Sequence, residues 1–407
     1  MRCGLLGRKL GHSYSPQIHA CLGDYSYDLF EKAPDELEDF LKNGDFSGLN
    51  VTIPYKKDVL PYCAELSERA EKLGAVNTIV RRPDGTLIGH NTDYFGFQSM
   101  VARSGLRVSG KKVLVLGSGG ASATAVAVLQ ELGASVIVIS RSGENNYDNL
   151  DRHADAAVIV NTTPVGMYPN VGVSPVDLND FPALEGVLDI VYNPARTQLL
   201  LNAETKGLIT ENGLWMLVAQ AKESAEWFTG QKISDEKIAQ IHADLRRQMG
   251  NLILIGMPGC GKSTVGQRIA ERLHKEFVDA DTEIVKQAGK SIPEIFEESG
   301  EEGFRKIETQ VLDQLGKRSG LVIATGGGCV TRSENYPLLH QNGRIAWIKR
   351  DVSLLPKEGR PLSLSNKLEL MYAVRKTMYE AFADIQAIND GTPEKAAAQI
   401  LELEGYK

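Results

Sequence analysis

The sequence predicts an α/β protein built on parallel sheets, and three observations carry that expectation. Short apolar runs alternate with helix-like segments along the whole chain, among them CGLLG, KVLVLG, SVIVIS, AAVIVNTTP and NLILIG. Two of these runs lead straight into a glycine-rich turn that opens a helical pattern, GSGGAS at Gly117–Ser122 and GMPGCGKS at Gly256–Ser263. The third is length: 407 residues at about 150 per domain gives two or three domains, each able to bury its own core.

Taken in order, residues 1–93 read as strand (CGLLG), helix from Pro16, strand (YDLFEK), helix (DELEDFLKNG), strand (LNVTIP) and one long helix near 60–73. A hairpin follows, NTIVRRPDGTLIGHN, with Asp84-Gly85 at its turn. From Lys112 a second pattern runs KVLVLG, glycine turn, helix, SVIVIS, AAVIVNTTP and VLDIVY, and a helical stretch from Gly213 to Phe228 closes this half. Residues 234–249, SDEKIAQIHADLRRQM, read as a polar helix rather than a flexible linker. At Asn251 the strand-turn-helix order begins afresh. The domains expected are therefore 1–95 with 213–235, then 96–212, a helical connector at 236–249, and 250–407, with no internal repeat.

Composition narrows the function classes. Hydrophobic residues at 42% and charged residues at 24% are ordinary for a globular chain and exclude general disorder. A formal net charge of −7 offers no basic surface for nucleic acid or an anionic membrane. The five cysteines are scattered without a CxxC pair and the seven histidines form no HExxH, which excludes a disulfide framework and the common zinc patterns. The N-terminus lacks the continuous apolar core of a signal peptide. The longest uncharged run, Val113–Leu129, is broken by Gly and Ser and reads as strand, turn and helix. The expectation is a cytoplasmic protein acting on small molecules, its oligomeric state open.

GMPGCGKS fits GxxxxGK[ST], which points to ATP and Mg²⁺. Backbone around Gly256, Gly259, Cys260 and Gly261, continued at Ser263 and Thr264, would wrap the phosphates. Lys262 would reach the β- and γ-phosphates and Ser263 would ligate the metal. In FVDAD, Asp279 and Asp281 stand two apart at a strand end, so both carboxylates point the same way. Beyond them come the acidic stretch holding Arg305, the TGGG run at Thr325–Gly328, GRPL with Arg360, and RKTMY with Arg375.

In the first half, GSGGAS is a diverged GxGxxG, so Gly117, Gly119, Gly120 and Ala121 are the expected dinucleotide contacts. The next strand ends at Ser140-Arg141, where a carboxylate would bind an unphosphorylated ribose. An arginine there suits a 2′-phosphate, hence NADPH.

Together, the C-terminal fragments resemble shikimate kinase across essentially all of residues 250–407. The resemblance implies a P-loop kinase domain in which Asp279 helps hold Mg²⁺ through water and Asp281 binds shikimate hydroxyls and accepts the attacking proton. It implies that Arg305 and Arg375 grip the substrate carboxylate, that Gly327 and Gly328 pack at the ring, and that Arg360 stabilises the transferring phosphate. The chain departs in a short segment before Arg360 without a second arginine, and in Thr377, where the family carries proline.

GRKLGHSYSPQIH, NVTIPYK, GAVNTI, GHNTDYFG, NTTPVGM, DIVYNPARTQLL and MLVAQAKESAEWFTG resemble shikimate dehydrogenase over residues 1 to about 235. This implies a substrate domain joined to a Rossmann-type NADP domain. Ser13 and Ser15 would hold the substrate carboxylate, Thr52, Asn77 and Gln220 the ring hydroxyls, with Tyr192 nearby, and Lys56 and Asp93 as the catalytic pair. Thr162 and Met167 of NTTPVGM would join the cofactor contacts. Lys9 and Ala20 replace the usual proline and asparagine of the first motif, a crossover between the Arg141 turn and AAVIVNTTP is trimmed, and a second basic residue after Arg141 is absent.

The expected protein is a bifunctional enzyme that reduces 3-dehydroshikimate with NADPH and phosphorylates the resulting shikimate. Two alternatives stay open: a first half that prefers quinate, and a second half that senses shikimate without catalysis.

Overall fold

A computed structural model describes residues 1–11, 13–355 and 365–406. The chain divides into two compact units: Met1–Met167 with Val173–Tyr192 and Leu199–Leu245, and Tyr168–Gly172 with Asn193–Gln198 and Arg246–Lys407.

The first unit holds two sheets. The elements of the first are β1 (Arg2–Gly7), α1 (Ser15–Ala20), β2 (Ser26–Glu31), α2 (Leu37–Asn43), β3 (Gly48–Val51), β4 (Glu65–Leu66), α3 (Glu68–Leu73), β5 (Thr78–Arg81) and β6 (Leu87–His90). Its strand order is β2-β1-β3-β5-β6-β4. β1 pairs parallel with β2 and β3, while β5 runs antiparallel to β3 and β6. Leu6, Leu49, Val51, Val76 and Ile79 fill the core beneath it.

One expected element is corrected here. No single helix covers 60–73; a 3₁₀ turn (Leu60–Tyr62), β4 and the short α3 occupy that stretch. The backbone N–H groups of Ala64 and Ser67 donate to Leu87 and Gly89, so this stretch is pinned to the sheet edge. Ser67 then caps α3 by accepting from the Ala70 N–H at 3.3 Å. Sheet pairing and a cap override helical periodicity at this point.

α4 (Asp93–Ser104) leads to the second sheet: β7 (Lys112–Leu116), α5 (Gly120–Glu131), β8 (Ser135–Ile139), β9 (Val158–Asn161), β10 (Gly186–Asp189), α6 (Gln198–Thr205) and β11 (Ile209–Asn212). The order is β11-β10-β9-β7-β8, every pair parallel. β7, β8 and β9 carry near-continuous apolar runs, as strands of a covered parallel sheet do, whereas the edge strand β11 is the polar ITEN. Between β8 and β9 the only helical piece is a 3₁₀ turn at Leu150–His153. The loop before it closes on itself: Asn146 donates to the Gly143 carbonyl, Asn149 to the Glu144 carbonyl, and His153 Nε2 lies 2.9 Å from Asn145 Oδ1.

α7 (Leu214–Thr229) packs along α4. α8 (Glu236–Met249) follows, and the expectation of a polar spacer needs amending. Ile238, Ile241 and Leu245 recur at i, i+3 and i+7 and are buried in the first unit. Trp215 meets His242 edge to face at 5.3 Å between ring centres.

The second unit is one five-stranded parallel sheet with helices on its faces. In order come β12 (Asn251–Ile255), α9 (Lys262–Leu273), β13 (Glu276–Asp279), α10 (Ala280–Ala288), α11 (Ile292–Lys317, broken at Gly300), β14 (Leu321–Ala324), α12 (Asn335–His340), β15 (Gly343–Lys349), α13 (Ser365–Phe382), β16 (Ile385–Ile388) and α14 (Pro393–Leu403). The strand order β13-β14-β12-β15-β16 places the switch point beside β12, where the glycine turn emerges. No helix among the described residues is long and apolar enough to cross a membrane.

Candidate active sites

In the first unit the residues expected at the substrate lie close to strand ends of the first sheet. Lys56 follows β3, and its carbonyl accepts from the Val76 N–H, which holds it beside the segment entering β5. Asp93 is the first residue of α4, where the helix dipole favours a carboxylate. Lys56 Nζ donates to Asp93 Oδ2 at 2.5 Å, with both side chains largely covered.

Asn77 is buried and tied to the same turn. Its Oδ1 accepts from the Thr92 N–H at 2.7 Å and its Nδ2 donates to Thr92 Oγ1 at 3.1 Å. Behind it, Asn50, Thr78, Thr92 and Ser224 share one buried network: Asn50 Nδ2 donates to Ser224 Oγ at 2.8 Å, and Ser224 Oγ lies 2.9 Å from Thr92 Oγ1. Ser224 also donates to the Gln220 carbonyl one turn earlier in α7. The network thus fixes α7, and with it Gln220, against the Asp93 turn. The sequence reading gave no role to Asn50, Thr78, Thr92 or Ser224, although they lie inside the quoted NVTIPYK, GAVNTI, GHNTDYFG and MLVAQAKESAEWFTG.

Ser13 and Ser15 flank the start of α1, where Ser13 Oγ accepts from the Ser15 N–H at 3.2 Å. Tyr14 between them faces Tyr192 edge-on at 6.4 Å, so Tyr192 comes to the same corner. Burial raises the phenols of both tyrosines above their usual range. Thr52 is anchored by its N–H to the Leu6 carbonyl, and its methyl packs over Gly7.

The second sheet presents the glycine turn expected to bind a dinucleotide. Gly117 has φ +107°, and a Cβ there would meet Thr162 Oγ1 at 2.9 Å, so glycine fits where Thr162 comes close. At Gly119 and Gly120 a Cβ would face open space, and Gly119 caps the N-terminus of α5. An open hollow at a helix start fits a diphosphate. Ala121 lies in the first turn of α5, Ser140 donates its N–H to the Asn145 carbonyl, and Arg141 and Met167 are exposed.

In the second unit, Lys262 begins α9 and folds back, Nζ donating to the carbonyls of Gly256 at 2.9 Å and Met257 at 3.1 Å. Cys260 is buried, while Ser263 and Thr264 face outward. Ser263 Oγ donates to Asp279 Oδ2 at 2.6 Å, and Asp279 caps α10 by accepting from the Asp281 N–H. A hydroxyl and a carboxylate beside the phosphate turn are a donor set that fits Mg²⁺. Because β13 ends at Asp279 and Asp281 belongs to α10, the two do not alternate along one strand as expected; the cap orients them instead.

Around the TGGG turn, the buried Arg305 donates to Glu308 Oε2 at 2.7 Å and to Glu301 Oε1 at 3.2 Å. Glu308 is fully buried; burial raises its carboxyl while Arg305 pulls the other way. A Cβ on Gly326 would lie 2.6 Å from Glu308 Oε1 and 3.0 Å from Asp281 Oδ1, so both carboxylates come to the space beside this glycine. A Cβ on Gly328 would strike the Arg305 guanidinium at 2.1 Å. The Gly327 carbonyl accepts from Arg375 at 3.1 Å and from the Tyr379 hydroxyl at 2.5 Å. Asp281, Arg305, Gly327, Gly328 and Arg375 thus come together, whereas Arg360 lies outside the described residues. The sequence reading missed Glu308 and Tyr379, whose signal was spacing: i+3 from Arg305 and i+4 from Arg375 on helices.

Parallel sheets that open at their switch points onto glycine turns define a chain of nucleotide-binding α/β units. Residues 5–79 match the model of the shikimate dehydrogenase substrate binding domain, and residues 258–404 match that of shikimate kinase. A shikimate dehydrogenase (NADP(+)) of Clostridium perfringens is 36% identical over 265 residues, covering 60% of this chain and 97% of that protein. One from Methanosphaera stadtmanae is 34% identical over 264 residues, covering 57% and 93%. Among solved structures, a chorismate mutase/shikimate 5-dehydrogenase fusion protein from Clostridium acetobutylicum shares 37% identity at TM-score 0.57, over 60% of this chain and 96% of that one. Quinate dehydrogenase from Corynebacterium glutamicum in complex with NAD shares 27% identity at TM-score 0.55, over 60% and 98%. The chain belongs to the shikimate dehydrogenase family and carries a shikimate kinase domain at its C-terminal end.

Proposed function

We propose that the chain is a bifunctional enzyme whose first unit reduces 3-dehydroshikimate with NADPH and whose second phosphorylates shikimate with ATP and Mg²⁺. The observation that carries the reading is the Lys56–Asp93 pair at 2.5 Å, bound to the turn that also holds Asn77. Reduction of a ketone leaves an oxyanion, and a placed ammonium supplies its proton. Asp93 orients the Lys56 ammonium by accepting its hydrogen bond. Gln220, Asn77 and Thr52 are assigned to the ring hydroxyls, Ser13 and Ser15 to the carboxylate, and Tyr192 to the same corner. Bound NADPH would supply the hydride. The open space at Gly119 and Gly120 supports that cofactor, with Gly117, Ala121, Ser140, Thr162 and Met167 assigned as further contacts and Arg141 assigned to a 2′-phosphate. The NADP(+) in the names of the curated relatives supports it too.

For the second unit, Asp281 is assigned to the acceptor hydroxyl and Arg305 and Arg375 to the substrate carboxylate. Lys262 and the turn from Gly256 to Thr264 are assigned to the nucleotide, and Ser263 with Asp279 to the metal. Phosphoryl transfer needs positioning and charge neutralisation more than covalent chemistry, and these residues supply both. Arg360 keeps its proposed place at the transferring phosphate.

One coupled assay tests both halves. With 3-dehydroshikimate, NADPH, ATP and Mg²⁺, the expected product is shikimate 3-phosphate. Accumulation of unphosphorylated shikimate would favour a non-catalytic second unit, and quinate oxidised faster than shikimate would reassign the first.

A further inference from the structure

We infer that Asn389 is a positioning residue for the nucleotide: its carboxamide sets the orientation of the Cys260–Gly261 peptide, so that the Gly261 N–H is presented to the phosphates. This rests on the kinase reading of the second unit and names a residue outside the phosphate turn.

Asn389 directly follows β16, 129 positions beyond the carbonyl it binds. It is 2% exposed, and its Nδ2 donates to the Cys260 carbonyl at 2.7 Å. Its own backbone N–H donates to the Lys349 carbonyl at 2.8 Å, at the end of β15, so the carboxamide is held from the sheet. Gly261 has φ +99°, and a Cβ there would lie 2.3 Å from Asn389 Nδ2. Only glycine meets both the conformation and the space.

The consequence follows from peptide geometry. In a planar trans peptide the C=O and the following N–H point in opposite directions. With the Cys260 oxygen drawn to Asn389, the Gly261 N–H turns away from Asn389, toward the inside of the turn. That is also where Lys262 reaches, its ammonium against the Gly256 and Met257 carbonyls. A glycine between two such peptides has little to stop its preceding peptide from rotating, and a rotated peptide would aim a carbonyl oxygen at phosphate. Asn389 opposes that rotation with a buried donor that loses its bond if the carbonyl moves.

The test uses the full chain with two variants, Asn389→Ala and the near-isosteric Asn389→Asp, which keeps the shape but replaces the donor with a charged acceptor. Calorimetric titration with Mg·ADP is paired with KM values for ATP and shikimate, the thermal midpoint and the dehydrogenase rate. The expected result is Mg·ADP affinity about tenfold weaker for Asn389→Ala and weaker still for Asn389→Asp. The ATP KM should follow with the shikimate KM near wild type, while the lost buried bond lowers the thermal midpoint only modestly in Asn389→Ala. Unchanged Mg·ADP affinity in both variants overturns the inference. So does a parallel rise of both KM values with a fallen midpoint, the mark of a merely structural bond. Failure of the wild-type chain to bind Mg·ADP would overturn the kinase reading itself, before any variant is made.

Discussion

Lys56 and Asp93 stand 37 positions apart and meet because β3 and β6 lie in one sheet on either side of β5. If Lys56 delivers the proton, Lys56→Ala should lower kcat of the reduction by about 10²–10⁴-fold with a small change in KM. Kinase turnover in the same preparation serves as the control, and an unchanged reductase kcat removes Lys56 from the chemistry. A second residue carries a pH dependence. His90 stacks on Trp227 at 3.6 Å, and neither ring nitrogen has a hydrogen-bond partner among the described residues. Desolvation pushes its imidazole from the usual 6.5 down to about 4. Between those values the unfolded chain binds more protons at this site than the folded one, so this group lowers stability as pH falls. His90→Phe keeps an aromatic ring on Trp227 and cannot titrate. Urea unfolding at pH 7 and pH 5 should show wild type losing more stability than the variant; equal losses would dissociate the acid response from His90.

At the level of elements, the approach of α4 to α7 positions Gln220. A Cβ on Gly96 would lie 2.8 Å from the Met216 carbonyl and 3.0 Å from the Gln220 Cβ. Alanine raises helix propensity by about 1 kcal/mol, yet overpacking here costs about 1–3 kcal/mol, so the clash outweighs the propensity. Gly96→Ala should therefore lower the thermal midpoint of the first unit and raise the KM for 3-dehydroshikimate, with kinase kinetics unchanged. A stabilised variant with wild-type KM would mean that the two helices separate without consequence for Gln220. The 60–73 stretch shows how such contacts enter the fold. Its helical pattern is real enough for α3, but the backbone before Ser67 pairs with β6 instead.

At the scale of the whole molecule, Lys56, Asn77, Asp93 and Gln220 all belong to the first unit, and Lys262, Asp281, Arg305 and Arg375 all belong to the second. Neither proposed chemistry borrows from these residues of the other. Shikimate is small and stable, so free exchange with solvent would serve. In the coupled reaction, isotopically labelled free shikimate should enter shikimate 3-phosphate in proportion to its share of the pool. Product that excludes the label would show direct transfer between sites.

The sequence by itself determined the α/β class, both glycine turns and most residues assigned to the sites. The reason is that phosphate-binding turns are local: glycines, strand and helix are contiguous, so their chemistry is written in consecutive residues. Tertiary structure alone decided how residues within and beyond the motifs are tied to one another around those sites. The Asn50–Thr78–Thr92–Ser224 network joins residues as far as 174 positions apart, and Asn389 reaches Cys260 across 129. Glu308 reads in sequence as one more acid on a solvated helix, yet it is fully buried against Arg305 and shares with Asp281 the space beside Gly326. Burial and orientation of polar side chains depend on which elements pack together, and periodicity along one element holds no information about its neighbours.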